Sequence, residues 1–338
     1  MGRWLRGAWP TLRWVLLAAV LGAVGYKFAG ALAELDTSRL RLRPGYLLLS
    51  ATSAAAVFAT LAVGYRVLLS TGFGHDVPMR AMAAAAWVPQ LGKYVPGKVA
   101  AVAAAVALLR RSGVPAAVAL ACYGVLDGCT VVMGLCLAAP LLTAGAVQAA
   151  LPGAELIAAV LVLGGVVVLT PPVFNRILGL GLRLTGRPAM GRRLGLVDYL
   201  APLASSAVQW GLCGVALWAM CAAVLPEPPS VSALPWFVSA AGLAITTSYL
   251  ALFAPGGAGV REGMYFAGLS VLGVPGELAA VVAILMRLQS ITVEVLLAGA
   301  GLWLMRGLPP VEVDAVGDAV ESAPCPPTTE PTPASSAG

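Results

Sequence analysis

Asp127, Arg287 and Glu294 lie inside long runs of Ala, Val, Leu and Ile, and a charge at a bilayer centre costs ~2.5–3.5 kcal/mol on insertion scales. Each therefore needs an opposite charge, water or a ligand. Arg287 and Glu294 are seven residues apart, two helical turns, and so share one helix face. Lys93 and Lys98 stand in Trp87-Val-Pro-Gln-Leu-Gly-Lys-Tyr-Val-Pro-Gly-Lys98, with Tyr94 between them, and Arg261-Glu262 follows Ala254-Pro-Gly-Gly-Ala-Gly-Val260. A cation beside a Pro-Gly break lets backbone N–H groups and a side-chain charge converge on one phosphate. The expected chemistry is anion binding at Lys93, Tyr94, Lys98, Arg261 and Glu262, above a polar midplane network of Asp127, Arg287 and Glu294. Plainer readings stand beside it. The three midplane charges suit a structural ion pair joining two halves equally well, lysines near helix ends snorkel to the interface, and Arg261-Glu262 could be a local pair at a helix start.

Catalysis finds no constellation. The one histidine, His75, belongs to an expected turn, and no Ser/His/Asp or Cys/His arrangement exists. Pro255-Gly-Gly-Ala-Gly could form an anion nest, but neither a Walker lysine nor a Rossmann context follows it. Cys122, Cys129 and Cys136 repeat at seven-residue spacing on one helix face, which suits packing better than metal binding or disulfides. No metal and no cofactor are expected, and the chain does not read as an enzyme.

The elements that must position these residues are membrane helices. The 338 residues are 59% hydrophobic and 11% charged, with mean hydropathy +0.90, against about 25% charged in soluble domains. The apolar runs are continuous rather than alternating, so the expected class is all-α and polytopic, not a barrel. The net charge of +6 then sets orientation through cytoplasmic loops and does not indicate nucleic acid. Six full spans are expected: 14–33, 45–69, 115–142, 155–173, 199–224 and 277–304. Ala31-Leu-Ala33 could pass for a signal-peptidase site, but the first span reads as retained. Twelve uncharged residues separate Arg80 from Lys93, and eleven separate Lys98 from Arg110. A crossing needs ~20, so 78–110 reads as a re-entrant hairpin. Irregular backbone survives at membrane depth only where protein or a water-filled cavity satisfies it. A second hairpin is expected around Pro255, although its first arm, 235–254, is long enough to span alone.

The two halves repeat. Pro96-Gly-Lys precedes Gly113-Val-Pro115, and Asp127 comes twelve residues after Pro115. Pro255-Gly-Gly precedes Gly273-Val-Pro275, and Arg287 comes twelve residues after Pro275. Each half reads span, hairpin, span, over 45–142 and 199–304. One span between them makes the repeat inverted, a transporter architecture. The loop at 174–198 holds Arg176, Arg183, Arg187, Arg192 and Arg193 against Asp198 alone, which places it in the cytoplasm with both termini. The sparsely charged loops 140–154 and 225–234 fit the outside, whereas 34–43, with three arginines, fits that face less well. Residues 307–338, rich in Pro, Ser, Thr and acids, should be a disordered cytoplasmic tail.

Leu91-Gly-Lys-Tyr-Val-Pro-Gly-Lys98, Gly113-Val-Pro115, Leu126-Asp127, Pro255-Gly-Gly-Ala-Gly-Val-Arg-Glu262, Gly273-Val-Pro275 and the Arg287 helix resemble the lysylphosphatidylglycerol synthase transmembrane family. This is the flippase-like membrane domain also found in multiple peptide resistance factors, and the likeness covers most of residues 11–306. It implies a cell-membrane domain that binds or moves lipids with charged headgroups, or polyprenyl-phosphate sugars. There are two departures. The family often has Glu-Arg shortly before the aspartate, where this chain has Cys122-Tyr-Gly124, so the charge pairing around Asp127 stays open. A soluble aminoacyl-transferase domain is also lacking, so aminoacylation of lipid by this chain alone is not expected. The expected function is flippase-like translocation of anionic or polyprenyl-phosphate-linked lipids. The alternative is a non-transporting lipid-binding scaffold beside a glycosyltransferase or lipid-modifying enzyme. A membrane-embedded transferase comes third. Expected partners are a membrane lipid and, in the second reading, a membrane enzyme.

Overall fold

The computed structural model describes residues 42–94, 99–184, 194–251 and 253–307, with helical positions at Gly22, Tyr26, Ala29 and Ala33. The expected first span, the tail from 308 onward, Lys98, and Arg187, Arg192 and Arg193 lie outside the described residues. Regular structure among the described residues is helical throughout. Helix α1 is Pro44–Val67, continued by a π-helical turn at Leu68–Gly72. Then come α2 (Met79–Trp87), α3 (Val99–Arg110), α4 (Ala116–Leu142), α5 (Gly145–Ala150), α6 (Ala154–Val168), α7 (Pro171–Leu184), α8 (Leu196–Val224), α9 (Leu234–Leu250), α10 (Val260–Val271) and α11 (Gly276–Leu304). The chain is a polytopic helical membrane protein. Among the described residues five stretches are long and apolar enough to cross a membrane, Pro44–Gly72, Ala116–Leu142, Leu196–Val224, Val231–Leu250 and Gly276–Leu304, or six if the bent pair Ala154–Val168 and Pro171–Gly181 counts as one span.

The order long, short, short, long occurs twice, as α1–α4 and as α8–α11, and the local chemistry repeats with it. Gly-Val-Pro performs one job in both halves. Gly113 (φ 78°) and Gly273 (φ 79°) take the left-handed conformation that ends a helix. Val114 N–H then reaches Leu109 O at 3.2 Å and Gly113 N–H reaches Arg110 O at 3.0 Å, while Val274 reaches Leu269 and Gly273 reaches Ser270 at 3.0 and 3.1 Å. Both are Schellman caps. Pro115 and Pro275 follow with nearly the same backbone, ψ 142° and 141°, at the N-caps of α4 and α11.

Helices α1 and α8, the first of each half, pack antiparallel. Arg43 N–H donates to Ala223 O and its guanidinium to Ala222 O and Pro226 O. Further along, Ser50 Oγ donates to Ala216 O at 2.7 Å, and Ser205 Oγ to Thr60 O at 3.2 Å. Rising numbers on one helix meet falling numbers on the other, so the equivalent helices run in opposite senses. Equivalent helices also exchange partners: α9 packs on α4 as α2 packs on α11. Arg43 thus serves the C-terminal carbonyls of α8, where a cation complements the helix dipole. That structural job accounts for a basic residue in a loop whose arginines fitted the expected face poorly.

Two regions refine the sequence expectation. Residues 155–173 do not make one straight span. Helix α6 ends at Val168, about 22 Å long at 1.5 Å per residue, and α7 departs at 79°. Pro171 and Pro172 cannot continue a hydrogen-bond ladder but can begin a new helix. The expected loop at 174–198 is accordingly helical to Leu184, with Phe174 and Leu178 buried where they face Gly128 and Gly124 of α4. The second hairpin is also lopsided, since its first arm, Val231–Leu250, has 20 residues against nine for α2. In place of the internal Pro89-Gln90 step that breaks the first hairpin, the second runs through Ile245-Thr-Thr-Ser-Tyr249 and stays helical. The core between α8, α9, α10 and α11 is built of small residues such as Ala216, Ala240, Ala279 and Ala283, with Phe237, Tyr265 and Leu269 between them. Small residues let helices approach closely where lipid supplies no hydrophobic drive.

Candidate functional site

The first hairpin breaks at the 3-10 stretch Val88–Tyr94 and the second at the 3-10 turn Pro255–Gly257. Tyr94 joins them. Its ring lies over Gly256, whose φ of 59° and open face admit it: a Cβ there would fall 2.8 Å from two ring carbons. Its hydroxyl donates to Glu294 Oε2 at 2.8 Å. Glu294, only 2% exposed, receives Lys93 Nζ on its other oxygen at 2.5 Å. Arg287 sits with its guanidinium 5.5 Å from the centroid of the same Tyr94 ring. It donates to Gly256 O at 2.8 Å and approaches Glu262 Oε1 at 3.3 Å. Glu262 also accepts the Gly259 N–H at 2.7 Å, closing the first turn of α10 in the manner of a capping box.

The expected cross-half partnership of Asp127 with Arg287 does not form. Arg287 finds its acid in its own half, at Glu262, and the bond between halves is Lys93 with Glu294. Asp127 instead lies among phenols. Tyr65 hydroxyl is 3.5 Å from Asp127 Oδ1, and Tyr123 lies beside it. The two rings stack at 6.1 Å. Tyr123 stands four residues before Asp127, on the same helix face, so an i,i+4 phenol occupies the neighbourhood left open by Cys122-Tyr-Gly124. Asp127 and Arg287 do share depth, each eleven residues or ~16 Å into its helix.

Between the breaks lies a cavity of ≈130 Å³ lined by Gln90, Lys93, Asp127, Gly256, Arg261 and Glu294, room for several waters. Both halves contribute to it. Arg261 is the cation left over. Its Nε is buried without a hydrogen-bond partner, its guanidinium lies 5.7 Å from the Tyr265 ring centroid, and among the described residues no carboxylate pairs with it. Lys93, by contrast, is neutralised by Glu294. The structure thus brings Lys93, Tyr94, Arg261, Glu262, Arg287 and Glu294 together across the two breaks, with Asp127 on the far wall. Tyr94 and Glu262 spend their polar atoms on the protein itself. Among the described residues no three His, Cys, Asp or Glu could hold a metal ion.

Sequence reasoning missed Gln90, Gln209, Gln289 and Tyr249 on the cavity wall, and Tyr65 and Tyr123 behind it. They carry no formal charge, so a search for charges within apolar runs passes over them. The i,i+4 spacing of Tyr123 and Asp127 was the one available signal.

A family model described as Lysylphosphatidylglycerol synthase TM region matches residues 12–299 of this chain. No curated protein matches it. The chain belongs to that family.

Proposed function

We propose that this member of the lysylphosphatidylglycerol synthase TM region family binds the phosphate of a membrane lipid in the cavity between its hairpin breaks and passes that headgroup across the membrane. The observation that carries this reading is Arg261, a cation with a buried, unpartnered Nε on the wall of the cavity between the two breaks. A buried donor without a partner is costly, and an anionic ligand supplies the missing acceptor. A planar guanidinium suits a phosphate through paired hydrogen bonds. The antiparallel halves support movement as well as binding, because inverted repeats with broken helices exchange two equivalent arrangements around one midplane site.

The Lys93–Glu294 pair ties the first break to α11 and the Tyr94–Gly256 contact ties it to the second break, so lipid entry requires them to part. The chain is a multi-pass membrane protein. Its proposed place is the cell membrane, with both termini cytoplasmic, and its proposed action is non-enzymatic. Native mass spectrometry of the purified protein with anionic and neutral phospholipids tests the binding step. Anionic lipid should be retained by wild type and lost from Arg261→Gln. Equal retention by both would reject the site. Retention by wild type with no translocation in liposomes would favour the scaffold reading instead.

A further inference from the structure

Two carboxylates of this site hold cations. Glu294 receives Lys93 at 2.5 Å, and Glu262 approaches Arg287 at 3.3 Å while accepting the Gly259 N–H. Asp127 is placed differently. It stands twelve residues after the proline of Gly-Val-Pro, where the other half has Arg287, and Arg287 has its acid elsewhere. The repeat is thus asymmetric in charge at its equivalent position. Phenols approach Asp127 from three helices. Tyr65 of α1 places its hydroxyl 3.5 Å from Oδ1, Tyr123 of α4 stacks on Tyr65, and Tyr249 of α9 lines the same cavity. A phenol suits a carboxyl group in either protonation state, because its O–H donates and its oxygen accepts.

The ionisable groups on the other elements are few. Lys93 from the first break, Cys213 from α8, Arg261 and Tyr265 from α10 and Glu294 from α11 line the cavity with Asp127. Cys122, on α4 itself, points its thiol at Tyr65 O. Helix α3 is apolar from Val99 to Leu109, and α6 and α7 meet α4 through Gly165, Phe174 and Leu178. A phosphate at Arg261 and a carboxylate at Asp127 would set two negative charges across a cavity of ≈130 Å³. Like charges sharing a site disfavour each other's ionised form, so the phosphate binds best while Asp127 carries a proton. Linkage is reciprocal, and each ligand favours the other by the same factor.

We propose that Asp127 is a proton-binding site linked to the anion site, and that a lipid anion and one proton bind and cross together. This rests on the reading of Arg261 as the phosphate's partner. The chemistry is one O–H bond at the Asp127 carboxyl, made with a proton from water on one side and returned to water on the other. One proton and one singly charged phosphodiester make a neutral cargo, which spares the charge a crossing of the bilayer. A proton gradient then drives the lipid toward the alkaline side.

The first test titrates purified protein in detergent micelles with dioleoylphosphatidylglycerol between about pH 5 and about pH 8. Wild type should bind about tenfold more tightly at the acid end, within the usual range of coupling between two sites. Asp127→Asn should bind at the tighter affinity throughout. His75 titrates in the same range but lies in the turn before α2, and His75→Gln should match wild type. The second test uses liposomes with an alkaline interior, acyl-labelled phosphatidylglycerol and an external quencher, with protein-free liposomes as the passive rate. Wild type should carry label inward beyond an equal division of the leaflets, and Asp127→Asn should stop at equal division. Should melting show that the Asn variant has lost its fold, proton uptake by wild type on lipid addition in weak buffer decides, and no uptake would overturn the proposal. A wild-type affinity independent of pH, a pH dependence that survives in Asp127→Asn, or uphill accumulation by that variant would overturn the proton site while leaving the phosphate site standing. Binding of no lipid by wild type at any pH would reject the Arg261 reading, and this inference with it.

Discussion

Lys93 and Glu294 form the ion pair that crosses between the halves, 16% and 2% exposed at 2.5 Å. Removing one member of a buried pair strands the other at a cost of about 3–5 kcal/mol, whereas replacing both with apolar residues is often neutral. Lys93→Met and Glu294→Met should each lower the melting temperature in detergent markedly, and the double variant should recover most of the loss. Simple addition of the two losses would show that the pair does not form. Asp127 and Arg287 supply the contrast. Their partners differ, Tyr65 beside one and Glu262 and Gly256 O beside the other, so Asp127→Asn and Arg287→Gln should add within ~0.5 kcal/mol. Arg261 carries the ligand argument. Arg261→Gln should cut anionic-lipid binding at least about tenfold, and Arg261→Lys should restore only part of it, since a compact ammonium lacks the planar fork. A fully active lysine variant would assign Arg261 the role of a point charge.

Helices and breaks were largely legible in the sequence, and where they were not the causes are local. Long apolar runs between Gly-Val-Pro signals marked α4 and α11, because a left-handed glycine and a proline cap leave little freedom over where a helix starts. The short arms around Val88–Tyr94 were legible from charge spacing alone. The bend between α6 and α7 was not, since Pro171-Pro172 reads equally as a terminator and as a helix start, and only the burial of Phe174 and Leu178 decides. In the site, every charged residue singled out by hydropathy among the described residues lies at or beside the cavity. Partnership was legible only in part, because Asp127 and Arg287 match in depth but depth does not fix azimuth around a helix. At this scale the docking of Tyr94 on Gly256 is testable. Gly256→Ala puts a Cβ 2.8 Å from the ring and strains a backbone at φ 59°. It should raise solvent access to Cys213, which lines the cavity, in a background without other cysteines. Unchanged labelling of Cys213 by a charged thiol reagent would show that this contact does not hold the breaks together.

The described residues form a pair of antiparallel halves around one asymmetric cavity, and the sidedness proposed for them rests on the arginines after α6. A cysteine at Gln148, on α5, should therefore react with an impermeant reagent in intact cells, and labelling only after permeabilisation would invert the orientation. The central claim concerns movement of a phosphate headgroup through the cavity. Its most direct measurement is a leaflet-accessibility assay in liposomes containing the reconstituted protein and headgroup-labelled phosphatidylglycerol, with an external quencher. Liposomes with wild-type protein should lose the signal of both leaflets, and liposomes with Arg261→Gln, at matched incorporation, should lose only the outer half. Complete quenching with both proteins, or half quenching with both, would contradict the account.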